Sequence, residues 1–453
     1  MAEPAADPAA DHWGERLPRR LGLWSTVAVL VGSTIGSGIF RTPAVVAERV
    51  DDLGLFALAW GLGALVALAG ALTLAELAAA IPRTGGIYVY IREAFGRLPA
   101  FLFGWCELLI LRPSSYGALA ITSSEYLWRV LERDGSAELT LLPLSRAQLT
   151  AAAMIVVVAA INARGVRLGA LVQNLSTIFK VAAILALIVL GVAYMPTAAG
   201  EGAASGGATT PATFGLAMVS ILWAYDGWSD AGFVSGEVRD PQRSLPRAFI
   251  LGTVGVVLLY LAVIAVYVSV IPLAEMPGSP LIAADVAVRL IGPVGAVAVA
   301  AAVMVSTFGT LNGTMMTGPR VFYAMAEDGL FFRRIAAIHP RYGTPSAAIV
   351  LSAILGVIFV ASRSFAELAD GFVVGIWPFY ALAVAAVFVL RRRRPELVRP
   401  YRVLAYPLVP LLFLLASIYL LGSYAITQPG TFAVNLAVIA AGVPVYLLWL
   451  RRA

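Results

Sequence analysis

The chain has 453 residues, of which 60% are hydrophobic and 13% are charged, and its formal net charge is +6. Soluble domains average about 25% charged residues, so this composition excludes a soluble protein and predicts a polytopic membrane protein. The single cysteine, Cys106, excludes an intramolecular disulfide framework and a cysteine-based metal site. No metal and no cofactor are therefore expected. The arginines lie in loops between apolar stretches, so the basic charge does not indicate a nucleic-acid partner.

Residues 1–20 are predicted to form a disordered cytoplasmic tail. The segment Met1–Trp13 is rich in Ala, Pro and Asp and lacks the apolar stretch of a signal peptide. Twelve apolar stretches close to the length of a membrane-spanning helix follow. In chain order they are Leu21–Arg49, Gly54–Pro82, Leu98–Trp128, Ala147–Arg164, Leu168–Tyr194, Phe214–Gly236, Pro246–Ile271, Gly292–Ala326, Pro345–Ala361, Phe365–Leu390, Leu404–Thr427 and Phe432–Leu450.

The distribution of arginines predicts the orientation of these spans. With twelve spans, both termini lie on one side of the membrane. If that side is the cytoplasm, the inner segments carry 23 arginines and the outer segments carry 7. The positive-inside rule therefore predicts that both termini are cytoplasmic, in a plasma or inner membrane. The run Arg391–Arg394 is interpreted as an anchor of this kind, and a site for anionic lipid headgroups is the alternative.

Two of the spans are interrupted. Val31–Phe40, in the first span, contains three glycines, each of which costs roughly 1 kcal/mol in a helix interior relative to alanine. Unpaired backbone groups are costly in lipid, so such a break must be buried in protein or line a wet cavity. A second break, Trp223–Trp228, lies five spans later. Interrupted spans at corresponding places in two halves indicate the substrate site of a transporter.

The first break provides groups that bind an α-amino acid. Its second half-helix begins near Ile39, and the positive end of that helix dipole predicts carboxylate binding at Ser37 and Gly38, next to Gly36. The predicted acceptors of the substrate ammonium are the carbonyl groups of Thr34, Ile35, Trp223 and Ala224.

Asp226 lies inside the second break. A carboxylate beside free carbonyls indicates a cation site, either for an amino group or for a proton. The alternative is that Asp226 caps the following half-helix, because Asp is a good N-cap residue. The two roles are compatible.

Lys180 is the only lysine and lies about 18 Å into the fifth span, at 1.5 Å per residue. An ionisable group at this depth is a functional-site hypothesis, although an ion pair or an amine bonded to carbonyls is the structural alternative. A lysine there could also carry a coupling proton. Ser306 and Thr307 of the eighth span join this site if they face Lys180. Otherwise their hydroxyls bond to their own helix.

Arg112 lies midway through the third span, five residues after Glu107. Charges inside membranes usually pair, so an internal Arg112–Glu107 ion pair is predicted. Pro113 is predicted to kink the helix and to free carbonyls near Ser114 and Ser115, which become candidate substrate contacts.

Six short motifs share their order with a known family. They are Ile35–Phe40 with Thr42–Pro43, Glu107–Ser115, Glu237–Pro241 with Leu245–Pro246, Phe308–Asn312, Ile338–Pro340 and Arg394–Leu397. In this order they resemble the amino acid–polyamine–organocation superfamily, and most closely its branch of L-type amino acid transporters. The resemblance covers nearly the whole chain.

The resemblance implies an all-α LeuT-type fold with two inverted five-helix repeats. These fall on residues 21–195 and 212–390, with a flexible external loop at 196–211 between them and two further helices within 391–453. It also implies amino acid transport by alternating access. Lys180 falls at the position of a fifth-span lysine in relatives. That lysine takes the place of the sodium ion that sodium-coupled transporters bind. Trp223 falls on an aromatic gate, and Trp377 on a second aromatic position.

Two departures from the family pattern bear on partner and substrate. Animal members carry a cysteine between the third and fourth spans that links a heavy subunit. The segment Arg129–Arg146 has none, so no disulfide-linked heavy subunit is expected. Large-neutral carriers often have Tyr-Gly-Gly-Trp in the sixth span, whereas Tyr225–Trp228 reads Tyr-Asp-Gly-Trp. This sequence resembles exchangers of dibasic amino acids and cystine.

The chain is therefore predicted to be a sodium-independent amino acid exchanger or facilitator and not an enzyme. The alternatives are a proton-coupled symporter and a carrier of cationic amino acids or polyamines. An ion channel and an intramembrane enzyme are remote alternatives, because neither a selectivity element nor an intramembrane histidine is present in the sequence. The expected partners are an amino acid substrate and membrane lipid.

Overall fold

The computed structural model describes residues 13–131, 138–139, 142–194, 209–279, 281–362 and 365–450. Within these ranges, nine helical segments are long and apolar enough to cross a membrane. The apolar helices Pro211–Tyr225 and Ser346–Ala361 are shorter. The prediction of an all-α polytopic membrane protein is confirmed.

The helices of the first half are α1 (Leu23–Thr34), α2 (Gly38–Ala47), α3 (Leu53–Ala80), α4 (Ile87–Phe95), α5 (Arg97–Cys106), α6 (Arg112–Val130), α7 (Arg146–Ala163) and α8 (Val166–Ala193). Those of the second half are α9 (Pro211–Tyr225), α10 (Asp230–Phe233), α11 (Pro241–Val270), α12 (Ile282–Ile291), α13 (Pro293–Glu327), α14 (Ser346–Ser362), α15 (Phe365–Arg393), α16 (Leu408–Thr427) and α17 (Pro429–Leu450). Short 3-10 turns are Ser235–Glu237, Leu273–Gly278 and Arg333–Ala336, and strands β1 (Glu138–Leu139) and β2 (Leu142–Ser145) pair antiparallel.

The helix order follows the predicted spans. The first span is divided into α1 and α2, the sixth into α9 and α10, and the third into α5 and α6. A π-helical turn, Glu107–Leu111, joins α5 to α6. Pro113 stands in the first turn of α6, where its missing N–H is tolerated. A π-helical turn such as Glu107–Leu111 often occurs at functional sites.

Local sequence determines where other helices begin. Ser145 accepts a hydrogen bond from the Gln148 N–H, and the Gln148 side chain bonds back, which is a capping box at the start of α7. Thr210 caps α9 through the Thr213 N–H, with Pro211 as the first helical residue. Residues 196–208 of the predicted external loop, 196–211, lie outside the described residues.

The packing of the spans follows a regular pattern. Helix α3 packs on α11, α6 packs on α13, and α7 packs on α14. In each pair the second helix belongs to the span five places after the first. Helices α16 and α17 lie outside this arrangement, with α16 against α3, α9 and α15, and α17 mainly against α5.

Residues 13–20, which were predicted to belong to the disordered tail, pack against the helices. Leu17 is 2% exposed, so its apolar side chain is buried. The Gly14 N–H donates to Glu327 Oε2 at 2.6 Å, at the end of α13. The Leu21 N–H donates to the Glu237 carbonyl at 2.9 Å, next to α10. Residues 1–12 lie outside the described part of the chain.

A buried ion pair joins α13 to the segment that follows α10. Arg320 of α13 donates to both carboxylate oxygens of Glu237, at 2.8 and 3.1 Å. Both side chains are almost fully buried. A bidentate pair of this kind fixes the angle as well as the distance between the two segments.

Candidate functional site

The two breaks touch each other directly. A Cβ on Gly38 would lie 2.6 Å from Ala224 Cα, and a Cβ on Gly227 would lie 2.6 Å from the Thr34 backbone nitrogen. Gly227 also has a φ of +112°, a conformation that side-chain-bearing residues rarely adopt. Each break therefore needs a glycine at the point where it meets the backbone of the other.

A cavity of about 50 Å³ lies between the breaks, which is room for a few water molecules. It is also lined by α6, α13 and α15. The predicted site residues that line it are Thr34, Gly36, Ser37, Gly38, Ser115, Trp223 and Asp226. Lining residues that were not among the predicted site residues are Ser33, Arg112, Leu119, Gly227, Asp230, Thr310, Thr314, Ile376 and Tyr380.

Helix α2 begins at the cavity wall. Gly38 is its first residue and Ser37 is its N-cap, with no side-chain cap hydrogen bond. The first N–H groups of a helix lack intrahelical partners, and the dipole makes this end positive. This end of α2 can therefore bind an anionic group in the cavity.

Helix α9 ends at the opposite break. Its last residues include Trp223 and Ala224, and the Asp226 N–H donates to the Trp223 carbonyl at 3.1 Å. The end of a helix dipole with free carbonyls is negative and favours cations. The two half-helices thus present ends of opposite sign to one small cavity.

Lys180 is fully buried behind the first break. Its ammonium group donates to the carbonyls of Gly32 at 2.8 Å, Ile35 at 2.7 Å and Ser306 at 2.9 Å, and lies 3.0 Å from Thr310 Oγ1. Ser306 Oγ and Thr310 Oγ1 also donate to the Ile35 carbonyl, each at 2.9 Å. Each of these acceptors is a neutral oxygen. Hydrogen bonds from Lys180 therefore connect the end of α1 to α13.

Thr307 lies outside this cluster. Its hydroxyl bonds back to the Val303 carbonyl at 2.8 Å, within its own helix. Thr310, one turn beyond Ser306, takes the place next to Lys180. Residues four apart on a helix share a face, so the spacing from Ser306 was a signal for Thr310.

The backbone carbonyls of the first break are already occupied. Thr34 O accepts the Tyr260 hydroxyl at 3.0 Å and the Gly36 N–H at 2.9 Å. Ile35 O accepts hydrogen bonds from Lys180 Nζ, Ser306 Oγ and Thr310 Oγ1. A carbonyl oxygen has two lone pairs, so the geometry disfavours the prediction that Thr34 and Ile35 receive the substrate ammonium. Trp223, whose carbonyl accepts the Asp226 N–H, lines the cavity, whereas Ala224 does not.

Asp226 is half-buried and bonded to α15. The Tyr380 hydroxyl donates to Asp226 Oδ1 at 2.5 Å, and Ser229 Oγ lies 3.4 Å from the same hydroxyl. Helix α10 begins at Asp230 with Ser229 as N-cap. Asp226 therefore does not cap the following half-helix, and its carboxylate faces the cavity beside Tyr380.

Arg112 and Glu107 form the internal ion pair that their spacing predicts. Arg112 Nε donates to Glu107 Oε2 at 2.6 Å, and both residues are buried. A second carboxylate, Asp230 Oδ1, lies 3.9 Å from the guanidinium. Thr317 Oγ1 is a shared partner, 3.3 Å from Arg112 Nη1 and 3.2 Å from Asp230 Oδ2. The second carboxylate has a sequence signal, because Asp230 is a charged residue inside the predicted sixth span.

The remaining predicted residues lie at different distances from the cavity. Ser114 is buried but does not line it, whereas Ser115 does. Trp377 stacks on Phe413 with centroids 5.4 Å apart and meets Tyr380 edge-on at 5.8 Å. Tyr380, one turn further along α15, lines the cavity, as Trp223 does.

Comparison with known proteins identifies the family of this chain. Residues 21–449 match the amino acid permease family. The chain is an amino acid permease. The resemblance to the L-type branch of the amino acid–polyamine–organocation superfamily is confirmed, and the permease is an integral membrane transporter and not an enzyme.

Relatives of the permease include a bacterial protein and mammalian proteins. It is 32% identical to the serine/threonine exchanger SteT of Bacillus subtilis (strain 168), over 95% of the chain and 96% of the relative. It is 31% identical to the b(0,+)-type amino acid transporter 1 of Mus musculus, over 91% of the chain and 84% of the relative. It is 30% identical to the large neutral amino acids transporter small subunit 2 of Homo sapiens, over 98% of the chain and 83% of the relative. The permease therefore transports amino acids.

Proposed function

We propose that the permease is a sodium-independent amino acid exchanger or facilitator that binds its substrate between the two broken spans. The observation that carries this proposal is the Lys180 ammonium group, surrounded by three carbonyls and one hydroxyl within 3.0 Å. Hard cations are bound by such oxygen ligands. A fixed charge in this place makes a dissociable sodium ion unnecessary.

The substrate carboxylate binds the free N–H groups at the start of α2, near Ser37 and Gly38. Its ammonium group binds the carbonyls of Trp223 and Ala224 at the negative end of α9. Opposite helix ends on a single small cavity support this orientation. The side chain then faces Asp226 and Tyr380, which come from the second break and α15.

The similarity to a serine/threonine exchanger over 96% of that protein supports small amino acids as substrates. Asp226 bonded to Tyr380 is a polar group for a hydroxyl side chain. Serine and threonine are therefore the first substrates to test, with arginine and ornithine as the test of the cationic alternative.

Alternating access by two inverted repeats is part of the proposal, with residues 21–195 and 212–390 as the repeats. The broken helices α1–α2 and α9–α10 are the first spans of the two repeats. A short helix follows the second span of each half, α4 in one and α12 in the other. The packing of α3 on α11, α6 on α13 and α7 on α14 supports the same pairing.

Both termini are proposed to be cytoplasmic, in the plasma or inner membrane, because the arginine distribution follows the positive-inside rule. The permease is proposed to act without a disulfide-linked heavy subunit. Its one cysteine, Cys106, is buried in α5. The segment between the third and fourth spans contains none.

The proposal is tested by exchange in proteoliposomes loaded with unlabelled serine. Uptake of labelled serine is expected to be equal, within about twofold, in sodium and in choline buffer. A requirement for sodium contradicts the proposal. Uptake into empty liposomes that follows an imposed pH gradient would instead identify a proton symporter.

Substrate range is tested in the same liposomes by competition. Serine and threonine are expected to compete, whereas arginine and ornithine are expected to compete weakly. Strong competition by arginine that Asp226→Gly removes selectively would assign Asp226 to a cationic side chain. Equal losses for all substrates would assign it to the backbone or to gating.

A further inference from the structure

Helices α7 and α14 form an apolar groove on the outside of the molecule. Its volume is about 530 Å³, within the usual range of ligand pockets. Ala160 and Ala163 form one wall, and Val350 and Ile354 form much of the other. Val350 and Ile354 are each more than half exposed, so the groove opens towards the surrounding lipid.

One end of the groove is basic. Ala163 is followed by Arg164, whose exposed guanidinium lies 3.5 Å from the Ala160 carbonyl. The Thr344 hydroxyl donates to the Ala163 carbonyl at 2.8 Å and so holds the loop before α14 against this end. That loop carries Arg341, which is also exposed. Two exposed arginines therefore belong to the two segments that meet where the groove ends.

We propose that this groove binds an anionic phospholipid of the inner leaflet. An acyl chain lies between α7 and α14, and the phosphate group binds Arg164 and Arg341. Guanidinium groups bind phosphate through paired charge-assisted hydrogen bonds. Basic pockets on the cytoplasmic side of helices bind anionic headgroups. The assignment rests on the cytoplasmic orientation proposed above and not on the identity of the amino acid substrate.

The charge at the groove end favours a lipid over a helix of another protein. A single membrane-spanning helix carries its own positive residues at its cytoplasmic end. These would be repelled by Arg164 and Arg341. A second copy of the permease would bring the same two arginines. An anionic headgroup is the complementary occupant.

The test is native mass spectrometry of the full-length permease with equal amounts of phosphatidylglycerol and phosphatidylcholine. The wild type is expected to retain one phosphatidylglycerol. The double variant Arg164→Gln/Arg341→Gln is expected to lower the preference for phosphatidylglycerol by roughly tenfold. The matched control is Arg243→Gln/Arg247→Gln, two exposed arginines of α11 that do not line the groove, which is expected to keep the preference.

A second pair of variants tests the acyl chain. Ala160→Phe fills the groove and is expected to abolish lipid retention. Ala153→Phe, at an exposed position of α7 that does not line the groove, is expected to leave it unchanged. Equal thermal stability of the two phenylalanine variants separates lipid loss from misfolding.

Three results would overturn the proposal. The first is a wild type that shows no preference between the two lipids. The second is equal loss of the preference in both arginine double variants, which means a diffuse surface charge. The third is a dimer that Ala160→Phe dissociates, which identifies the groove as an interface between copies.

Discussion

Lys180 and Arg112 are both buried cations next to the broken spans, but their surroundings differ. Lys180 is bonded to carbonyls and a hydroxyl, so its charge is compensated by dipoles. Arg112 is bonded to Glu107 and lies close to Asp230, so its charge is compensated by carboxylates. The first arrangement resembles an ion-binding site and the second is a structural ion cluster.

This difference indicates that Lys180 and Arg112 have different roles in the protein. A cation among neutral oxygens attracts the carbonyl groups of the first break and fixes its shape. A cation between two carboxylates connects α6 to α10 and α13. Removal of Lys180 is therefore expected to affect transport most, and removal of Arg112 is expected to affect stability most.

The largest effect is expected for Lys180→Ala. Loss of the ammonium leaves the carbonyls of Gly32 and Ile35 without their strongest donor, so serine exchange is expected to fall at least about 100-fold. Thr177→Val is the matched control, because Thr177 lies one turn earlier on α8 and bonds to Ala28 O. The measurement is counterflow in proteoliposomes, at equal protein.

Partial rescue of Lys180→Ala by a high sodium concentration would sharpen the comparison, since it would mean that the oxygens form an ion site. Exchange within a few-fold of the wild type would show that Lys180 has no role in transport. The breaks would then need no fixed cation.

Arg112→Gln is expected to destabilise the permease by about 3 to 5 kcal/mol, because it leaves Glu107 buried without its ion-pair partner. The measurement is unfolding of the purified protein in a denaturing detergent. The double variant Arg112→Gln/Glu107→Gln is expected to recover a large part of the loss, since it removes the orphaned charge. No recovery would mean that Arg112 acts mainly through Asp230 or through its packing on Phe233.

The smallest effect is expected for two neighbouring threonines of α13. Thr310→Val removes one partner of Lys180 and is expected to lower exchange about tenfold, the usual value of one hydrogen bond to a charged group. Thr307→Val removes a hydroxyl that bonds only to its own helix, and it is expected to be neutral within about twofold. Equal effects at both positions would contradict the difference between them.

The helical membrane class, the spans and the two breaks could be predicted from composition and spacing, whereas the inverted repeats were expected only from the family resemblance. Apolar stretches of suitable length gave the spans, and glycines marked both breaks. The spacing of Arg112 and Glu107 predicted their pair, because both are charges with few other partners in a membrane. These features depend on local sequence, where residue type and position carry the signal.

The details of the site could not be predicted in the same way. The main partners of Lys180 are backbone carbonyls, and every residue has one. Whether Thr307 or Thr310 faces Lys180 depends on the rotation of α13, and whether Trp377 or Tyr380 reaches the cavity depends on that of α15. Both rotations are set by tertiary packing. The apolar character of Trp13 and Leu17 was the missed sign that residues 13–20 pack against the helices.

The contacts of residues 14–21 set a limit on motion. Gly14 is bonded to the end of α13 and Leu21 to the segment after α10. A chain of this length spans roughly 25 Å when fully extended. The Arg320–Glu237 ion pair holds the same two segments in direct contact, so the tether sets the limit only once that pair is broken. Their separation then stops at the length of the N-terminal segment unless one of its two attachments is released.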